Sequence, residues 1–367
     1  MCYNIVVVVL IGLTITYWGV YADMSSKATL ATKYRPEHFN EIVEQESIKA
    51  TLQNQVNKGK IKNCYLFHGP AGCGKTTSAR IFANDINNGV GIITELDAAS
   101  NSGVENVRSL IADARFKPIG QKYKTYIIDE CHALSDKAWQ AFLLALEEPV
   151  PTSVFLFCTT DPQKIPKTII SRVQRFGFKK ITQSKIVERL KYIIESENSE
   201  GKNYTYTEEA LVYIAKLAEG GMRDSITLME KALDFDNNLT LESAVETLGT
   251  VSYGTMFDLT DALCDMDKKS VIRIIEDVFN DGSDLKQFMQ NYCDFVLDLC
   301  KYDLFRDFDT LQIPLLYKDR MSVYTDSDYQ FFTTLLNESI NIKNLIKWEP
   351  SPKPIVESNL LLLCTEA

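Results

Sequence analysis

Leu66-Phe67-His68-Gly69-Pro70-Ala71-Gly72-Cys73-Gly74-Lys75-Thr76-Thr77 decides how the rest of the chain is read. Before it, Cys64, Tyr65, Leu66 and Phe67 suit a buried strand, and after it Ser78-Ala79-Arg80-Ile81-Phe82-Ala83 suits a helix. The glycines let the backbone bend tightly, so that successive N–H groups point inward at a polyphosphate, while the positive end of the following helix favours the anion. Lys75 is then placed to reach the β- and γ-phosphates, and the Thr76 hydroxyl to hold Mg²⁺. A Gly-x-x-x-x-Gly-Lys-Thr string also arises by chance, but the strand before it and the helix after it mark this one as a P-loop.

Composition sets the frame around this motif. At 367 residues with 45% apolar content, the chain is long enough for two or three domains with a real core. A formal net charge of −10 excludes a protein whose whole surface is a nucleic-acid footprint, yet the charge is uneven. It is −1 over residues 1–23, +6 over 24–180 and −15 over 181–367. The nine cysteines (Cys2, Cys64, Cys73, Cys131, Cys158, Cys264, Cys293, Cys300, Cys364) form no Cys-x-x-Cys pair, and several sit in apolar runs. They read as reduced core residues of a cytoplasmic protein, with neither a disulfide framework nor a zinc site.

Residues 1–23 stand apart. Ile5 to Val20 is an almost unbroken apolar run, without preceding Lys or Arg, followed by Tyr21-Ala22-Asp23. It resembles an anchor or signal peptide, but is short for a span and has no basic start. Because Met24-Ser25-Ser26-Lys27 looks like an ordinary beginning, the favoured expectation is an upstream extension of the reading frame, with a membrane anchor as the lesser alternative.

Downstream of the P-loop, Gly91 to Asp97 reads as a second strand, and Val104, Val107, Leu110 and Ile111 fall on one helix face with Arg108 on another. The next strand, Tyr126-Ile127-Ile128-Asp129-Glu130, ends in two carboxylates. A buried parallel strand delivers its C-terminal residues to the crevice where ligands bind, so Asp129 suits the Mg²⁺ shell through water and Glu130 the attacking water. After a helix over Lys137 to Glu148, the strand Val154 to Cys158 leads to Thr159-Thr160-Asp161-Pro162. There Thr160 either lies next to the γ-phosphate, caps the Asp-Pro turn, or does both. Arg172 and Arg175 flank a short apolar segment, where an arginine is either solvated or a finger for a neighbour's nucleotide. Alternating strands and helices predict a doubly wound parallel sheet, and beyond Ile181 the strands stop and only helices are expected.

Taken in order, Lys33-Tyr34-Arg35-Pro36, the P-loop, Leu96-Asp97-Ala98-Ala99-Ser100, Tyr126 to Glu130, Leu146-Glu147-Glu148-Pro149, Thr159 to Pro166 and Ile170-Ser171-Arg172 resemble the gamma/tau subunit of bacterial DNA polymerase III. The likeness covers residues 30–365. It implies an α/β AAA+ P-loop ATPase core (24–180), a three-helix lid (181–239) and an all-helical collar for oligomerisation (240–367). Carried over by position, Lys33, Tyr34, Arg35 and Pro36 line the adenine pocket, Gly69 to Thr77 form Walker A, and Asp129 and Glu130 form Walker B. Thr160 becomes sensor 1, Arg223 sensor 2, and Arg172 the arginine finger acting on ATP in the adjacent subunit. Arg108 matches a position facing DNA phosphates, with a solvated helix face as the alternative.

The resemblance thus implies an ATPase using ATP and Mg²⁺, with other copies of itself, delta-type subunits, a sliding clamp and primer–template DNA as partners, and no membrane. It also has departures. Asn84 to Gly91 bridges the place of the family's four-cysteine module, so no zinc is expected; Val173 replaces a cysteine, Gly103 stands where a lysine is common, and a compact form without the tau-like extension is expected. Another AAA+ DNA motor, such as a branch-migration helicase, and a nucleotide-binding scaffold without turnover are the competing readings. A site split between subunits predicts that the isolated protein binds ATP but hydrolyses it slowly.

Overall fold

A computed structural model describes residues 28–248, 253–308, 310–326 and 329–364, so the apolar run of residues 1–23 lies outside the described residues. The chain divides into two compact units. One takes the described residues up to Lys202 together with Ala218–Glu230, and the other takes Asn203–Leu217 and the residues from Lys231 onward.

The first unit is built on five parallel strands, β1 (Cys64–His68), β2 (Ile93–Asp97), β3 (Lys124–Asp129), β4 (Ser153–Thr159) and β5 (Gln174–Gly177), in the order β2-β3-β4-β1-β5. Every residue of β4 is buried, which is why its sequence is a continuous apolar run without alternation. Side chains still alternate between faces. Tyr65, Phe67, Ile127 and Leu156 pack with Phe82 of the P-loop helix Lys75–Asp85 on one side. On the other, Leu66, Tyr126 and Phe157 pack with Trp139 and Phe142 of the helix Asp136–Glu147. Phe142 lies edge-on to Phe155 and Phe157, with centroids 5.8 and 5.1 Å apart. That helix starts at Ser135, whose hydroxyl accepts from Ala138 N at 3.3 Å, a cap contributing about 1 kcal/mol.

Two consequences position the site. β4 lies between β1 and β3, so Thr159 comes out between the P-loop and Asp129. β1 has β4 on one side and β5 on the other, which makes its carboxyl end the switch point where such sheets bind ligands.

Element boundaries differ in places from the sequence reading. Glu130 lies outside β3, in the left-handed region at φ 44°. β2 begins at Ile93, after Gly91 at φ 140°. Strands also do not stop at Ile181, because Thr205–Tyr206 pairs in parallel with Asn238–Leu239 in the second unit; two-residue pairings carry no periodicity to read.

Helices Gln183–Ser199, Glu208–Leu217 and Met222–Phe235 follow the sheet. The second unit is otherwise helical, with Tyr253–Cys264, Lys268–Asn280, Leu285–Phe305, Tyr329–Ile346 and Lys353–Leu363 around an aromatic core that includes Phe257, Phe288, Tyr292, Phe295 and Phe332. Inside it the buried Asp298 carboxylate accepts from the backbone N–H groups of Gln312 and Ile313 and from Lys301, so its charge is paired. No helix among the described residues is long and apolar enough to cross a membrane.

Candidate active site

The P-loop owes its shape to backbone approaches that a side chain would block. Gly69 has φ +145°, and a Cβ there would lie 2.4 Å from the Phe178 carbonyl oxygen. Gly72 has φ +67°, and a Cβ would lie 2.8 Å from Gly221 Cα. Beside it, Met222 N donates to the Gly72 carbonyl at 3.0 Å, joining the loop to the start of the helix Met222–Phe235. Gly74 precedes the P-loop helix in the left-handed region, and the Cys73 thiol donates to the Pro70 carbonyl at 2.9 Å. Burial pushes that thiol above its ordinary range.

Lys75 is 6% exposed, and its ammonium donates to the carbonyls of Gly69 at 2.9 Å and Pro70 at 2.6 Å. Thr76 donates from Oγ1 to Asp129 Oδ2 at 2.8 Å, while Asp129 Oδ1 accepts from Glu130 N at 3.0 Å. A hydroxyl beside a carboxylate is a set of hard oxygens, the donor chemistry that Mg²⁺ takes.

Glu130 is held by its side chain as well as by its turn. Its Oε2 accepts from Thr160 Oγ1 at 3.1 Å and lies 3.2 Å from His132 Nδ1. The Asp-Pro turn is capped by Thr159, two residues before Asp161, since Asp161 N donates to Thr159 Oγ1 at 3.0 Å. The Thr160 hydroxyl is therefore directed to Glu130, and Thr159 serves the turn.

The Lys33-Tyr34-Arg35-Pro36 segment divides its attention. Arg35 Nε donates to Thr77 Oγ1 on the P-loop helix at 3.3 Å. Burial, then the neighbouring Arg80, lowers the Arg35 guanidinium; Glu95 opposes the shift, Arg223 adds to it and Asp129 opposes it. Lys33 and Tyr34 turn instead to the helix Gln183–Ser199. Lys33 Nζ binds Glu197 Oε1 at 2.6 Å and also Glu200, and Tyr34 Oη donates to Glu197 at 2.9 Å. Hydrogen bonds to those carboxylates raise the Lys33 ammonium, and burial followed by the Glu197 contact pushes the Tyr34 phenol up to about 12. Pro36 is half-buried.

Arg172 binds Glu147 at 3.0 Å and the Thr168 carbonyl at 2.8 Å. Among the described residues, none of its hydrogen-bond partners belongs to the P-loop of its own chain. Arg108 is exposed and pairs with Glu105 at 2.9 Å, beside a groove lined also by Arg115, Lys137 and Gln140. Sequence reasoning missed His132 and Glu197 and gave Glu147, part of a quoted segment, no role of its own. A lone histidine after Asp-Glu-Cys carries no spacing signal, whereas Glu197 continues the buried stripe of Leu190, Ile193 and Ile194, and a carboxylate on an apolar stripe calls for a cation.

Residues 88–182 match the family model of the DNA polymerase III delta subunit, and residues 185–238 that of the DNA polymerase III clamp loader subunit, ATPase lid domain. Residues 239–323 match domain III of the DNA polymerase III subunits gamma and tau. DNA polymerase III subunit tau of Bacillus subtilis is 33% identical over 358 residues, covering 90% of this chain and 62% of that protein. DNA polymerase III subunit gamma of Buchnera aphidicola subsp. Acyrthosiphon pisum is 30% identical over 355 residues, covering 90% of this chain and 97% of that one. The chain thus spans less than two thirds of the Bacillus protein and nearly all of the Buchnera one. Among solved structures, a mutant of Thermotoga maritima RuvB aligns with TM-score 0.50 and 18% identity over 62% of this chain and 80% of that one, a likeness of fold alone.

Proposed function

This chain belongs to the family of DNA polymerase III gamma and tau subunits, and on that premise we propose that it is an ATP-hydrolysing subunit of a sliding-clamp loader. ATP binding would close a spiral of subunits that holds the clamp open for primer–template DNA, and hydrolysis would release the closed clamp on DNA. The observation that carries this reading is the junction of P-loop and carboxylates, where Thr76 donates to Asp129 at 2.8 Å and Thr160 to Glu130 at 3.1 Å.

The chemistry is phosphoryl transfer to water, in which the protein supplies position and charge. The P-loop N–H groups and Lys75 bind the phosphates, and Arg35, behind Thr77, together with Lys33, Tyr34 and Pro36 forms the adenine side. Thr76, and Asp129 through water, would hold Mg²⁺, which when bound neutralises phosphate charge. Glu130 accepts the proton of the attacking water, Thr160 orients it, and Arg223 stabilises charge from the lid side. Arg172 acts on the nucleotide of the adjacent subunit, in keeping with its outward partner Glu147. Residues 24–180, 181–239 and 240–367 serve as ATPase core, lid and collar. Other copies of the chain, delta-type subunits, the clamp and primer–template DNA are the partners, with the Arg108 groove facing DNA phosphates. The cytoplasm is the compartment that suits this work.

The test is the ATPase rate with and without clamp, partner subunits and primed DNA. Stimulation should vanish in Lys75→Ala together with ATP binding. In Arg172→Ala the stimulated rate should fall about 10³-fold or more, while ATP binding survives. Full activity in Arg172→Ala, or no stimulation of the wild type, would refute the shared-site motor.

A further inference from the structure

We propose that Glu147 is a positioning residue for hydrolysis: its carboxylate braces the Arg172 guanidinium, so that the arginine meets a neighbour's nucleotide already in place. This rests on the reading of Arg172 as the arginine finger, and adds to it a residue that itself touches no nucleotide.

Arg172 needs a brace because of where it stands. It follows the four-residue helix Lys167–Ile170 and precedes β5, in a short connection. Its side chain turns about several bonds, so the backbone alone does not fix where the guanidinium points. Nη1 donates to the Thr168 carbonyl at 2.8 Å and to the Ser171 hydroxyl at 3.3 Å. Both partners are close in sequence, so they move with the arginine and fix it only relative to its own turn. The Glu147 contact differs in kind. Nη2 donates to Glu147 Oε1 at 3.0 Å across 25 residues of sequence, which ties the finger to a separate element.

That element is anchored in the core. Glu147 is the last residue of the helix Asp136–Glu147, whose Trp139, Phe142 and Leu146 are buried. A guanidinium is planar, with five N–H donors in a fixed fork. Holding Nη1 from the local turn and Nη2 from the helix therefore fixes its plane as well as its place. These hydrogen bonds leave the Nε hydrogen and one on Nη2 for phosphate oxygens. The Arg172 and Glu147 side chains are 37% and 45% exposed, and an ion pair so open to water contributes little to folding. Its use lies in orientation: an arginine left loose must be immobilised when it takes up phosphate, and the brace does this beforehand.

The test uses the assembled complex with clamp and primed DNA. Glu147→Ala removes the brace, and Glu147→Gln keeps an acceptor oxygen there without the charge. Glu147→Ala should lower the stimulated kcat about 3- to 10-fold, with ATP affinity and thermal stability unchanged, and Glu147→Gln should recover most of that loss. Joined to Arg172→Ala, Glu147→Ala should cost nothing further, because the brace acts only through the guanidinium. Three results would each overturn the inference and leave the shared-site reading standing: an unchanged kcat in Glu147→Ala, a Glu147→Gln complex as slow as Glu147→Ala, or the same fold-loss with Arg172→Ala as without it. Full activity in Arg172→Ala would overturn that reading and this inference with it.

Discussion

At Gly72 the P-loop meets the start of the helix Met222–Phe235 with no side chain between them. With φ +67° and only 2.8 Å between the place a Cβ would take and Gly221 Cα, Gly72→Ala has nowhere to put its methyl group and a strained backbone besides. We expect ATP affinity to fall more than about tenfold and stability by about 1–3 kcal/mol. Gly59 is the control: it also has positive φ, at +62°, but a Cβ there meets nothing within 4 Å. Gly59→Ala should cost about 1–2 kcal/mol and leave ATP binding alone. Calorimetric titration with ATP beside thermal melts reads both quantities, and wild-type affinity in Gly72→Ala would remove the loop–helix contact from the binding account. The glycine-rich turn was legible in the sequence, since its spacing is set by a local ring of N–H groups. That Gly72 faces Gly221 was not, because a contact between backbones leaves no trace in side-chain patterning.

The helix Gln183–Ser199 shows the same limit for whole elements. Its stripe of Ile186, Leu190, Ile193 and Ile194 marks it as amphipathic, but the stripe does not say what it receives at Glu197. The structure brings Lys33 and Tyr34 there from 164 and 163 residues away. The tetrapeptide Lys33 to Pro36 therefore reads as one unit in sequence but serves two elements, Arg35 the P-loop helix and its two predecessors the helix behind it. Burial raises the Glu197 carboxyl, but hydrogen bonds from Lys33 and Tyr34 outweigh it and hold it below the ordinary range. A carboxyl lowered in the folded state contributes stability that is present above its unfolded pKa, about 4.3 for glutamate, and is lost as pH falls through the folded value. Lys33, raised by the same contact, keeps its charge throughout that window. Glu197→Gln should therefore be less stable than the wild type by about 1 kcal/mol at pH 7, and the gap should close as the melts are taken below about pH 4. A gap independent of pH would mean that packing, not the charge, holds the segment.

At the scale of the whole molecule, the sequence distinguished a sheet-bearing part from a helical part because their apolar patterns differ, continuous short runs against helical spacing. The strand order β2-β3-β4-β1-β5 was not legible, since each strand is equally apolar and neighbours are chosen by how the crossovers pack. The compact units also cut across the helices after the sheet: Glu208–Leu217 goes with the second unit, while Ala218–Glu230 goes with the first. Each unit has its own buried aromatics, Phe142 in the first and Phe288 in the second, both 0% exposed. The site residues of the P-loop, β3 and β4 all lie in the first unit. Heating should therefore give two transitions, of which ATP raises one. At a hundred times its Kd, ATP adds about 2.7 kcal/mol to the unit that binds it. Phe142→Ala should lower that transition by about 3–5 kcal/mol, and Phe288→Ala should lower the other by a similar amount. Scanning calorimetry of the full chain with and without ATP separates the cases. If ATP raises both transitions equally, or if a single transition answers to both substitutions, the two units unfold as one and nucleotide binding in the first is felt throughout the second.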